Sequence, residues 1–111
     1  MTVLKYVIKY VSDMDRAVEF YRGQIGLTLR FSSPHWSEFE TGGTTLALHA
    51  ATDEHPPGSA QLGFGVDDLE EFYAARTAAG VEFTSPPCEQ FGAKIAKFKD
   101  LDDAECSVSG S

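Results

Sequence analysis

The chain is poor in basic residues. Nine Lys and Arg stand against 17 Asp and Glu, a net charge of −8 over 111 residues, which excludes nucleic acid and anionic membranes as natural partners. Cysteine is scarce as well: Cys88 and Cys106 stand alone without a Cys-x-x-Cys, so neither a disulfide framework nor a zinc knuckle is expected. No apolar run approaches the ~20 residues of a membrane span. The opening Met1-Thr-Val-Leu-Lys-Tyr6 enters a strand-like pattern directly rather than a signal-peptide layout. These absences predict a cytoplasmic protein. Gly-rich phosphate loops, a Gly-x-Ser-x-Gly elbow and any nucleophile-plus-base pairing are also missing.

What is present is a repeat. Val11-Ser-Asp-Met-Asp-Arg-Ala-Val-Glu-Phe-Tyr21, followed by Gly26-Leu27, returns about half a chain later. Its second copy is Val66-Asp-Asp-Leu-Glu-Glu-Phe-Tyr-Ala-Ala-Arg76, followed by Gly80-Val81. Each copy reads strand, capped helix, glycine stop, strand, and self-similarity at half the length implies two equivalent modules. With 42% hydrophobic and 23% charged residues, the chain has ordinary globular composition and the size of one domain. The division expected is module 1 over 1–52, a linker over 53–59 rich in Pro, Gly and acid, and module 2 over 60–111.

Strands are expected at 4–11, 27–31, 36–40 and 44–49, the last two as a hairpin across Thr41-Gly-Gly43, and again at 61–66, 81–83, 94–99 and 104–108. Ser12 with Asp15, and Asp67 with Glu70, predict the helix starts as capping boxes, and Gly23 with Gly26, and Gly80, predict the stops. Ser85-Pro-Pro87 and Asp100-Leu-Asp-Asp103 predict turns. The order is βαβββ twice, an α+β fold of mixed sheet rather than a doubly wound parallel one.

That duplicated pattern, with Tyr10-Val-Ser-Asp-Met-Asp-Arg-Ala-Val-Glu-Phe-Tyr-Arg22, Thr41-Gly-Gly-Thr-Thr-Leu-Ala-Leu-His49 and Leu62-Gly-Phe-Gly-Val-Asp-Asp-Leu69, resembles the vicinal oxygen chelate superfamily of glyoxalase I, bleomycin-resistance proteins and extradiol dioxygenases. The turn before the last strand, Phe98-Lys-Asp-Leu-Asp-Asp-Ala-Glu-Cys-Ser-Val108, is similar to a worn form of the family's Asp-Pro-Asp-Gly turn. The resemblance implies a half-open barrel of two βαβββ modules with helices on the outer face, a cavity between the modules, and a homodimer.

Enzymes of that superfamily hold a divalent metal at four strand positions, two per module. The resemblance places Tyr6, Ala47, Gln61 and Ser107 there, and none is a His, Glu or Asp. No metal centre is expected at that place, and no catalytic residue is assigned. Two residues along the same strands stand His49 and Glu105, which would share that facing. With Glu38 or Glu40 they are the only route to a displaced divalent-metal site, and so to a glyoxalase-type lyase or transferase. His35 and His55 fall in loops next to proline and read as surface residues. Cys88 reads as an inert loop thiol and Cys106 as core.

The residues expected to line a ligand cavity are Tyr6, Ile8, Trp36, Ala47, His49, Gln61, Gly63, Phe91, Glu105 and Ser107. Small residues leave room, aromatics stack, and a few polar tips orient, the usual make-up of a small-molecule site. The function expected is metal-free binding of a small organic molecule, partly aromatic or cationic, as in drug sequestration. A module whose cavity has closed is the remaining reading.

Overall fold

The structure is a computed structural model that describes all 111 residues. It contains eight strands and two helices: β1 Val3–Val11, α1 Met14–Glu19, β2 Thr28–Phe31, β3 Trp36–Glu40, β4 Thr45–Ala50, β5 Ala60–Gly65, α2 Leu69–Ala78, β6 Phe83–Gln90, β7 Ala93–Lys99 and β8 Glu105–Gly110. The chain divides into two compact units, Lys5–Ala60, and Gln61–Ser111 with Met1–Leu4. The expected linker belongs to the first unit, and the first few residues of β1 belong with the second.

Each unit is one βαβββ module of mixed sheet, as the repeat predicts. In the first the strand order is β2-β3-β4-β1, and in the second β6-β7-β8-β5. The pairing repeats too. β1 runs parallel to β4 and β5 parallel to β8, while the other neighbours are antiparallel. The fold class is α+β.

In module 1 the helix packs on the face carrying Ser37, Phe39, Leu46 and Leu48. Phe39, Leu48 and Ser37 are fully buried, the Ser37 hydroxyl lies 3.3 Å from the Met14 sulfur, and the Tyr21 and Phe39 rings meet at 5.9 Å. The alternation of a strand then puts Trp36, Glu38, Ala47 and His49 on the opposite face. In module 2 the helix side gathers Leu69, Ala96 and Val108, all fully buried, with Phe64, Phe72, Phe83 and Phe98 against them. Cys106 is buried, as expected.

Four local expectations need correction. Both helix caps sit one residue later than predicted: Asp13 accepts from the Arg16 amide at 3.1 Å and Asp68 from the Glu71 amide at 3.0 Å. In each copy the capping side chain must stand on an extended residue three before its donor, and Asp13 and Asp68 have that backbone. Ser12 and Asp67 do not cap. Gly23 does not stop the first helix, which widens into a π-helical turn over Phe20–Gln24 and closes at Gly26, at φ +89°. Ser85-Pro-Pro87 is not a turn but the middle of β6, an edge strand whose register slips on either side. Prolines are tolerated there because an edge has amides that need no partner. Cys88 is thus an exposed strand residue rather than a loop one.

Candidate functional site

The face of module 1 turned away from the helix is built by register. Parallel pairing sets Tyr6 beside Thr45, Ile8 beside Ala47 and Tyr10 beside His49, and antiparallel pairing sets Trp36 beside His49 and Glu38 beside Ala47. Ile8, Tyr10 and Ala47 are buried together, with Tyr6, Trp36 and Ala51 packed on them. Five of the expected lining residues (Tyr6, Ile8, Trp36, Ala47 and His49) therefore share one patch. Ala47 is fully buried beneath the aromatic rings rather than open.

Across the patch runs an aromatic chain. Tyr6 meets Trp36 edge-on at 5.8 Å, Trp36 meets His49 edge-on at 6.0 Å, and His49 lies 5.0 Å from Tyr10. Tyr10 in turn stacks on His55 at 4.4 Å and 11°. His55 is thus not a plain surface residue: its loop folds back to lay the imidazole on a phenol ring.

A polar anchor adjoins these rings. The carboxylate of Glu38, whose side chain is 12% exposed, accepts the Trp36 indole N–H at 2.8 Å and an Arg30 N–H at 2.9 Å. Arg30 also donates to Glu40 at 2.5 Å. Its hydrogen bond, followed by that of the Gly42 amide, holds the Glu40 carboxyl below its ordinary pKa. Two carboxylates face one guanidinium, so the anchor keeps one net negative charge. Burial, and then the nearby Glu38 charge, push the Tyr6 phenol above its ordinary value of 10.0. Sequence reasoning named Glu38 only as a helper for a metal and overlooked Arg30. The usable signal was the alternation of Arg30, Glu38 and Glu40 across paired strands.

In module 2 the face away from the helix carries Gln61, Gly63, Glu105 and Ser107, with Gly63 beside Ser107. Gln61 is buried and donates to Glu105 at 3.4 Å; Thr84 donates to the other carboxylate oxygen at 3.0 Å, and Lys97 lies at 3.8 Å. Phe91 is separate. It sits fully exposed in the β6–β7 hairpin turn, beyond Lys94, whereas Glu105 pairs with Lys99 at the other end of β7.

The donor set does not fit a divalent metal. Tyr6, Ala47, Gln61 and Ser107 supply no imidazole and no carboxylate, and Ala47 supplies no donor atom. Nowhere do three His, Cys, Asp or Glu side chains gather closely enough to hold an ion. Of the displaced pair, His49 Nδ1 lies 2.7 Å from the Ala50 carbonyl oxygen, which leaves Nε2 as its other ring nitrogen, and both Glu105 oxygens are engaged as above.

The sequence pattern of the Glyoxalase/Bleomycin resistance protein/Dioxygenase superfamily matches residues 3–105. The chain belongs to that superfamily. Among solved structures it is similar to methylmalonyl-CoA epimerase of Streptomyces coelicolor in complex with 2-nitronate-propionyl-CoA, at 20% identity and a TM-score of 0.81, covering 100% of this chain and 95% of that one. It is also similar to the methylmalonyl-CoA epimerase of Mycobacterium tuberculosis, at 20% identity and a TM-score of 0.78 over 96% and 86% of the two chains. A Legionella pneumophila structure described as an NAD-dependent benzaldehyde dehydrogenase gives 21% identity and 0.79 over 95% and 96%. These likenesses show the fold. No curated protein matches the chain. No helix is long and apolar enough to cross a membrane.

Proposed function

We propose that this chain binds a small organic molecule without a catalytic metal, on the sheet face of module 1 opposite its helix. One observation carries the reading. A nearly buried carboxylate, Glu38, is held by Trp36 and Arg30 beside Tyr6. Aromatic surface stacks on a flat ligand, and the surplus negative charge of Glu38 and Glu40 over Arg30 favours a cationic one. Stoichiometric sequestration in the cytoplasm, by a homodimer, is the role this binding serves.

A thermal-shift titration with proflavine, a flat aromatic cation, against uncharged acridone tests the reading. The protein is purified without a histidine tag and treated with chelator. Proflavine at a hundredfold over its dissociation constant adds about 2.7 kcal/mol of stability, and Glu38→Gln removes most of that gain. The opposite result would be proflavine binding that chelator abolishes, that a divalent ion restores and that His49→Ala removes. That outcome replaces the binder by a metal-dependent lyase or transferase using His49 and Glu105.

A further inference from the structure

Of the five lysines in the chain, four have an oxygen partner. Lys9 donates to the Gly58 carbonyl at 2.7 Å, and Lys94, Lys97 and Lys99 face Glu70, Glu105 and Glu82 at 3.8, 3.8 and 3.4 Å. The exception is Lys5. Its exposed ammonium makes no hydrogen bond or ion pair and lies over the Tyr6 ring, 5.6 Å from the centroid. β1 pairs with β4 from Tyr6 onward, so Lys5 stands just ahead of that ladder and its side chain reaches over the ring of the next residue.

An aromatic face attracts a cation through its quadrupole at separations up to about 6 Å. The surroundings of Tyr6 strengthen that pull. Trp36 meets the ring edge-on at 5.8 Å, and its indole is tied to Glu38 at 2.8 Å. Glu38 is near enough to act on the Tyr6 phenol, adding to the rise in pKa that burial causes, and the same negative charge favours an ammonium on the ring. Arg30 is not available for this role, because its two terminal nitrogens are engaged by Glu38 and Glu40.

The charges balance only with Lys5 in place. Glu38 and Glu40 against Arg30 leave one negative charge, and Lys5 on the ring offsets it. With Lys5 swung into solvent, the patch presents that charge and a bare aromatic face, the two features a cationic ligand uses. One exposed contact of this kind shifts an equilibrium only about threefold. A long side chain with no other partner is therefore a displaceable occupant of the ring.

We propose that Lys5 is a built-in competitor at this site: its ammonium holds the face of Tyr6 that a ligand's cation takes, and a cationic ligand binds by displacing it. The inference rests on the binder reading above, and it identifies the Tyr6 face as the seat of the cation and Lys5 as the residue that sets its affinity. Lys5→Gln should tighten proflavine binding about threefold, the size of one exposed cation–π contact. Lys5→Arg, which keeps a cation able to stack on the ring, should bind as the wild type does. Lys94→Gln removes the same charge from the helix side of module 2 and should change nothing. Before any ligand is added, the Lys5 ε-methylene protons should resonate upfield of those of the other lysines, and Tyr6→Leu should return them to the common position. Equal proflavine binding by wild type and Lys5→Gln would overturn the inference and leave the binder reading intact. So would a gain shared by Lys5→Arg or Lys94→Gln, or Lys5 protons unshifted by the ring. Absence of saturable proflavine binding to every one of these proteins would overturn both.

Discussion

The Glu38 carboxylate joins the Trp36 indole N–H, 2.8 Å away, to the Arg30 guanidinium, 2.9 Å away. A buried acceptor with two donors is stable only while both remain, because an unsatisfied buried charge costs more than the bond it loses. Arg30→Gln leaves Glu38 with weaker compensation and should destabilise the protein. Glu38→Gln, which keeps both donors near a neutral acceptor, should cost less. Urea denaturation of the two variants checks the order. Equal losses would show that the ion pair is a surface contact without consequence.

The Tyr6 phenol gives a pH prediction. Its folded pKa is raised, by burial first and then by Glu38, so the folded state holds this proton more tightly than the unfolded state. The stability it contributes is complete below pH 10 and is lost as pH rises above 10 through the folded value. Cys106, likewise raised by burial from 9.0, adds a loss that begins about pH 9. Tyr6→Phe should therefore flatten the alkaline slope of stability above pH 10 and leave the onset near 9. Denaturation midpoints across alkaline pH measure this directly.

The cap positions are separable by mutation. Asp68→Ala removes the acceptor for the Glu71 amide and should cost about 1 kcal/mol. Asp67→Ala should cost little, since Asp67 is exposed and its only partner is the N-terminal ammonium at 3.7 Å. Thermal melts in which Asp67→Ala is the more damaging would restore the cap to the position read from sequence.

Leu69 is fully buried against Ala96 and Val108. Leu69→Ala should destabilise by about 2–5 kcal/mol through lost burial and the cavity left behind. A loss below about 1 kcal/mol would show that module 2 repacks around this position.

How far the sequence could be read depended on the range of the interaction. The β3 strand at Trp36–Glu40, the Thr41-Gly-Gly43 hairpin and the Asp100–Asp103 turn follow from neighbours a few residues apart, and they stand as read. The caps slipped by one because Ser12 and Asp13, or Asp67 and Asp68, are equally able acceptors, and backbone geometry chose between them. β6 was misread because Pro86 and Pro87 break a central strand but not an edge, and edge position is a property of the assembled sheet.

Sequence alone determined the duplication, the α+β class, the absence of His, Asp and Glu from the family's metal positions, and which residues alternate to which face of a strand. Tertiary structure decided which strands became neighbours, and so which side chains meet. Arg30, Glu38 and Trp36 share a network because β2, β3 and β4 pair in this register. His55 finds Tyr10 because a loop of the same module folds back on β1. Periodicity records the direction in which a side chain leaves its own backbone; its partner across the sheet is set by long-range pairing, which no local pattern encodes.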